Sequence, residues 1–329
     1  MDQLVKPTSI HIHQFVGLSP GPKLVVLGAV HGNEVCGTIA ISRLINEIEG
    51  GNISIERGTL TLVPIVNPLA YQKKQRQGDR NLNRNLGLKL HPQDFEDSVA
   101  NVLCPLLAAH DVLLDLHSFH TAGKPFAMLG PMNNAEALEP FKLAREEAQL
   151  VAHLGPSRVV DGWMEAYARG VRRRRDSGHP YALALLDTQY GIGTSEFMRA
   201  HGGYGVTLEC GQHEDSEAPK VAYHAILQTL ALLKLAQIPL APPRSEFEQL
   251  TLVDVIDRDH TDDTFVRQWE SFDPISAGAE IGRRFDGSKI TAPSNGFIVF
   301  PNPKALPGNE WFYFAQASMR DIDTTDKRV

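Results

Sequence analysis

Residues Lys23 to Glu34 read KLVVLGAVHGNE. The first eight form a short apolar run rich in valine and leucine, the pattern of a strand buried on both faces. Directly after it come a histidine and a glutamate three positions apart, His31 and Glu34, separated by glycine and asparagine. Next, VCGTIAISRLINEI at 35–48 spaces Val35, Ile39, Leu44, Ile45 and Ile48 at helical intervals, and Gly50-Gly51 supplies a stop. A strand that leads into a helix through a polar turn is the repeating unit of an α/β protein. Further strands are predicted at 60–66 (LTLVPIV, ending in Asn67-Pro68), 111–116 (DVLLDL) and 204–210 (YGVTLEC), with helices around 134–152 and at 220–236. This alternation points to an α/β layer structure with a largely parallel or mixed sheet.

Near residue 240 the texture changes. Ile238-Pro-Leu-Ala-Pro-Pro243 has the composition of an extended linker, and beyond it KITAPSNGFIVF and NEWFYFA show short β-rich runs between Gly, Pro and Asn turns. The expected organisation is a catalytic α/β unit over 1–240 and a small all-β unit over 241–329. A length of 329 residues with 42% hydrophobic and 22% charged residues fits this and excludes a disordered or collagen-like chain.

The net charge of −7 argues against broad binding to nucleic acid or acidic membranes, since both need excess cations. Cys36, Cys104 and Cys210 are an odd number without a C-x-x-C pair, so neither a disulfide framework nor a cysteine-built zinc site is supported. The N-terminus has no basic stretch leading into an apolar run, and no segment reaches the roughly 18 apolar residues of a membrane helix. The expected location is cytoplasmic, and a homo-oligomer is compatible with everything in the sequence.

Three constellations bear on chemistry. If a helix begins at His31, then His31 and Glu34 share a face and can close on one ion. A catalytic zinc needs about three protein ligands and an open position, and His117, at the end of the 111–116 run, stands where strands of an open α/β sheet deliver active-site residues. Second, Tyr71 to Asn85 (YQKKQRQGDRNLNRN) sets Lys73, Lys74, Arg76, Arg80 and Arg84 against Asp79 alone. The lysines read as solvated, whereas Arg76 and Arg84 offer planar forks for a carboxylate and Asn83 adds an amide donor. Third, Glu209 ends an apolar strand just before glycine, a costly place for an acid without a partner and a useful one beside an activated water. Elsewhere, His11 and His13 read as surface histidines, Arg172 to Arg175 as a solvated face, and Cys36 and Cys210 as core. The spacing of His120, His201 and His213 assigns them nothing.

Taken in order, G-x-x-His31-Gly-Asn-Glu34, the Asn-Pro turn followed by Arg76 and Leu82-Asn83-Arg84, Asp115-x-His117 and Glu209 resemble the succinylglutamate desuccinylase/aspartoacylase family, which is related to the zinc carboxypeptidases. The resemblance covers most of the chain. It implies a zinc-carboxypeptidase-like mixed sheet flanked by helices, with a small C-terminal all-β domain that narrows the entrance. It also implies one Zn2+ per chain on His31, Glu34 and His117, Glu209 as general base, and Arg76 as the group that polarises the scissile carbonyl. Asn83 and Arg84 would hold a substrate carboxylate, and Tyr313, in NEWFY, would enter the pocket. Asp115 could support a ligand histidine. Asn81 stands where some relatives have aspartate, and Arg199 or the 172–175 run are stand-ins for a further carboxylate-binding arginine. The implied activity is hydrolysis of the amide bond in a small N-acyl amino acid. A metallocarboxypeptidase and a non-catalytic zinc- or anion-binding homologue are the rival readings.

Overall fold

Strands and helices alternate through most of the computed structural model, which describes residues 5–136, 138–177, 181–320 and 322. In order they are β1 (His13–Val16), β2 (Ser19–Gly28), α1 (Cys36–Glu49), β3 (Arg57–Val63), α2 (Pro68–Lys73), α3 (Phe95–Ala108), β4 (Val112–Phe119), β5 (Phe126–Met128), α4 (Ala144–Leu154), β6 (Arg158–Asp161), α5 (Trp163–Asp176), α6 (Thr194–Ala200), β7 (Tyr204–Gln212) and α7 (Ala218–Leu232). The remainder is β8 (Glu248–Asp257), β9 (Thr264–Phe265), β10 (Asp273–Ile275), β11 (Glu280–Arg283), β12 (Lys289–Thr291), β13 (Gly296–Val299) and β14 (Glu310–Ala317).

Eleven strands make one sheet in the order β1-β3-β2-β4-β7-β5-β6-β8-β14-β13-β10, and β12-β11-β9 make a second. At its centre β3, β2, β4 and β7 run parallel, while β5 is antiparallel to β7. Side-chain alternation in β2 sends Leu24 and Val26 into a core with Ile41 and Leu44 of α1, Leu150 of α4 and Ile226 of α7. Val25 and Leu27 point the other way, into a core with Leu103 and Leu107 of α3 and Met198 of α6. Helices therefore cover both faces, which is why the central strands read as continuous apolar runs; all eight residues of β4 are buried.

Past the Pro-rich stretch, β8 lies parallel to β6, with Leu250 opposite Val160, and antiparallel to β14, with Val255 opposite Tyr313. Of the C-terminal strands, β8, β14, β13 and β10 thus extend the main sheet. No helix among the described residues is long and apolar enough to cross a membrane.

The elements depart from the sequence expectation in several places. The first strand stops at Gly28, because Ala29 turns out of it with φ 48, in the left-handed region that a residue with a Cβ seldom adopts. The helix predicted over 134–152 starts only at Ala144; Pro140 precedes it, and Asn134 forms a bridge with Phe141 instead. Helices α3, α5 and α6 were not read from the sequence. The Asn67-Pro68 turn is itself a helix start: Asn67 Oδ1 accepts from Ala70 N at 3.1 Å and Pro68 occupies the first turn of α2.

Candidate active site

Residues 31–34 form a turn between β2 and α1 rather than the first turn of the helix, closed by Glu34 N donating to His31 O at 3.1 Å. Gly32 is demanded by a neighbour: a Cβ there would lie 2.0 Å from the backbone carbonyl carbon of Ala70, so the turn sits directly on α2. That seat aims both His31 and Glu34 at β4. His117 is inside β4, which continues to Phe119, and not beyond its end.

The three side chains meet. His31, Glu34 and His117 are all buried, and one ligand atom from each lies within 4.8 Å of the other two. His31 Nδ1 is 2.9 Å from Glu34 Oε1 but takes no hydrogen bond, and His117 Nδ1 is 2.8 Å from Glu34 Oε2. On the far sides of the rings, His31 Nε2 is 3.0 Å from Asn81 Oδ1, and His117 Nε2 lies 2.9 Å from Asp115 Oδ2 but, like His31 Nδ1, takes no hydrogen bond. Two imidazoles and a carboxylate converging on one point, with an outer oxygen beside each ring, is a donor set that could hold a zinc ion. The orphaned nitrogen of His31 shows that the site fits such an ion.

The electrostatics are those of a tightly coupled triad. Burial pushes the His31 ring down to about 4, with Arg76 adding to the effect. Burial also opposes charge on His117, yet the Asp115 and Glu34 carboxylates hold it well above the usual histidine value. Glu34 goes the other way: despite burial, the two histidines keep its carboxyl well below the ordinary range.

Glu209 is the opposite number of His117 in the β4–β7 register, and Thr207 that of Asp115, so Glu209 stands on the next strand beside a triad member. Its carboxyl is pushed up to about 8, first by burial and then by the Glu34 charge, and its Oε2 is buried without a partner. Both His117 and Glu209 line a cavity of about 930 Å³, together with Arg76, Asn83, Arg84 and Tyr313. Seven of the eight residues singled out by sequence line this cavity, and Glu34 lies behind it against His31 and His117.

Their partners differ from what the sequence implied. Arg76, half exposed, donates from Nη1 to Glu34 Oε1 at 2.9 Å. Asn83 Oδ1 accepts from Thr194 N at 2.9 Å, which ties the basic loop to the start of α6. Arg84 is buried with its fork already engaged, since Nη2 donates to both oxygens of Glu310 at 3.0 and 2.9 Å and the guanidinium lies over Trp163 at 4.6 Å. Tyr313, buried on β14, keeps its hydroxyl without a hydrogen bond and packs against Trp163 at 5.4 Å.

The stand-ins for a second carboxylate-binding arginine are occupied elsewhere. Arg199 borders the cavity but is fully buried among Glu147 (2.9 and 3.1 Å) and Glu139 (2.7 Å). In the 172–175 run, which is on α5, Arg172, Arg173 and Arg175 are exposed, as a solvated face would be; Arg173 also pairs with Asp254 and the buried Arg174 with Asp257, both on β8, while Arg175 donates to Leu186 O. His13 is on the edge strand β1, His201 stacks on Phe197, and all three cysteines are free and buried.

Four residues that shape the site had no signal in the sequence. Glu96 of α3, with no cationic side chain at ion-pair distance among the described residues, accepts from Asn67 Nδ2 (2.8 Å), Gly78 N (2.8 Å), Asp79 N (3.0 Å) and Arg80 N (3.2 Å), and so pins the middle of the basic loop. A Cβ at Gly78 would sit 2.5 Å from Glu96 Oε1, so only glycine lets the loop come this close. Glu310 and Trp163 hold Arg84, and His213 lies between the two ligand-bearing segments. Each works through contacts 16 or more positions away in sequence, which no local spacing reveals.

No curated protein matches the sequence significantly. Solved structures match its fold over nearly the whole chain. A succinylglutamate desuccinylase/aspartoacylase from Rhodobacter sphaeroides is 16% identical with a TM-score of 0.67, covering 94% of this chain and 90% of that one. The product-bound ectoine utilization protein EutE (DoeB) from Ruegeria pomeroyi is 18% identical with a TM-score of 0.67, covering 93% and 88%. A succinylglutamate desuccinylase from Vibrio cholerae is 19% identical with a TM-score of 0.66, covering 93% and 85%. The family model of the succinylglutamate desuccinylase/aspartoacylase catalytic domain matches residues 20–233, the span that supplies the triad, the basic loop and Glu209, and the chain belongs to that family of deacylating hydrolases.

Proposed function

We propose that the protein is a zinc-dependent amidohydrolase that removes the acyl group from a small N-acyl amino acid or a similar carboxylate-bearing amide. The observation that supports this most is the placement of Glu209 beside His117 in the strand register, in a cavity lined also by His31 and Arg76, with Glu34 converging on the two histidines. His31, Glu34 and His117 would hold one zinc ion. Zinc supplies Lewis acidity, acidifying water towards neutrality and polarising a carbonyl.

The rest falls to the chain. Glu209 takes a proton from the attacking water and passes it to the departing amine. A carboxyl buried and raised towards neutrality suits a group that must do both, and a cation beside it would draw that value down. Arg76, half exposed on the cavity wall, swings from Glu34 to donate to the carbonyl oxygen as it gains negative charge. Asn83 and Arg84 orient the substrate carboxylate, with Glu310 and Trp163 fixing the guanidinium plane. Tyr313, which lines the same cavity, offers its unpartnered hydroxyl. On this reading residues 1–240 are the hydrolase unit, and 241–329 form a β-rich cap whose Glu310 and Tyr313 limit the cavity to small substrates.

Replacing Glu209 by Gln tests the assignment. The variant should bind zinc as the parent does while hydrolysis of its best N-acyl amino acid falls by roughly 10²-fold or more, the usual scale for an acid–base group. Undiminished turnover would sink the mechanism.

A further inference from the structure

His213 follows β7 four positions after Glu209, and its backbone N–H donates to Phe119 O at 3.0 Å, which fixes the residue against the end of β4. Both ring nitrogens are then engaged. Nδ1 lies 2.8 Å from Ser118 Oγ, and Nε2 lies 3.2 Å from Asn33 Nδ2. These partners are not scattered: Asn33 lies in the turn between His31 and Glu34, and Ser118 follows His117 directly. Ser118 is joined to the triad a second time, because its backbone N–H donates to Glu34 Oε2 at 3.2 Å.

We propose that His213 is a positioning residue for the metal site: one imidazole clamps the 31–34 turn to β4, and so sets the spacing between the ligands from the turn and the ligand from the strand. This rests on the zinc reading of the triad. The turn leaves β2 through the left-handed Ala29, and its closing hydrogen bond from Glu34 to His31 does not restrain it against β4. Glu34 ties one end of it to that strand, through Ser118 N and His117 Nδ1, and His213 adds a second tie at Asn33. A neutral imidazole has one acceptor and one donor nitrogen; Nε2 accepts from the Asn33 amide while Nδ1–H donates to the Ser118 hydroxyl. A side chain with a single polar end reaches one of the two partners, not both.

Removing a residue that orients metal ligands from outside typically weakens metal binding by 10- to 100-fold. The test is a competition titration with a chromophoric zinc chelator on the purified full-length protein, alongside the visible spectrum of the Co2+-substituted form. His213→Ala should raise the zinc dissociation constant by about 10- to 100-fold and alter the Co2+ bands, with His213→Gln, which keeps one hydrogen bond, recovering part of both. Ser118→Ala, a milder change should His213→Ala fail to fold, should give a smaller loss of the same kind. Zinc affinity within about two-fold of the parent in these variants, with an unchanged Co2+ spectrum, overturns the clamp while leaving the zinc site standing. A parent protein that takes up no zinc overturns the metal reading and this role with it.

Discussion

Glu96→Gln removes the least visible support of the site, and its effect can be worked from the hydrogen bonds it breaks. Oε1 accepts from Asn67 Nδ2 and Gly78 N, and Oε2 from Asp79 N and Arg80 N. Glutamine is isosteric, so packing is retained. Its amide group, however, must face two of these donors with N–H instead of oxygen. Two bonds to a carboxylate are lost, at about 1.5–3 kcal/mol each, so the folded state loses roughly 3–6 kcal/mol. With an unfolding entropy of about 2.1 cal/mol/K per residue, a chain this long shifts its melting temperature by roughly 1.4 °C per kcal/mol, which gives a drop of about 4–9 °C. Scanning calorimetry reads that directly.

The functional consequence follows from what Glu96 holds. Gly78, Asp79 and Arg80 are the middle of the loop that sets out Arg76 on one side and Asn83 and Arg84 on the other. Released by even an ångström, these groups should cost kcat/KM roughly 10- to 100-fold on an acylated amino acid. A melting temperature within about 1 °C of the parent, together with unchanged kcat/KM, would refute the reasoning.

Two further outcomes are expected. Glu310→Ala leaves Arg84 buried without its partner; with Glu310 itself partly open to solvent the cost is about 1–3 kcal/mol, read from urea midpoints, together with a higher KM as the guanidinium plane loosens, and a variant as stable as the parent with the same KM would show that Arg84 is held by other means. Glu139, buried beside Glu147 and Glu196 with one arginine to share, has its carboxyl pushed up to about 8. A raised folded-state value means the folded protein binds that proton more tightly than the unfolded chain. Its stabilisation is therefore full below the ordinary glutamate range and is lost as pH rises through about 8. Melting temperatures measured from pH 5 to 9 should fall with pH in the parent and fall less in Glu139→Gln; identical slopes would contradict the assignment.

Much of the architecture is legible along the chain because the central strands are buried on both faces. KLVVLG and DVLLDL are predominantly apolar for that reason, whereas Asn67-Pro68, read as a strand end, is in the structure the capped start of α2. Helix α5 was missed for an equally physical reason. Its arginines look like a solvated face, yet Arg174 is buried against Asp257, a partner 83 positions away that supplies what local composition lacks. The helix around 134–152 was drawn too long because Pro140 weighs less in an Ala- and Glu-rich window than it does on the backbone.

By itself, the sequence determined the chemistry on offer: which residues can ligate, which can move protons and which can grip a carboxylate. His31 and Glu34 were visible because they are adjacent, and His117 and Glu209 because each ends or interrupts an apolar strand. Only the tertiary structure decided who meets whom. The β4–β7 register puts Glu209 beside His117, Glu310 takes the fork of Arg84, Arg199 is enclosed by Glu139 and Glu147, and His213 joins Asn33 to Ser118. Hydrogen bonds and ion pairs act over about 3 Å in space whatever the separation along the chain, so a local pattern can announce a side chain's chemistry but not the partner that directs it.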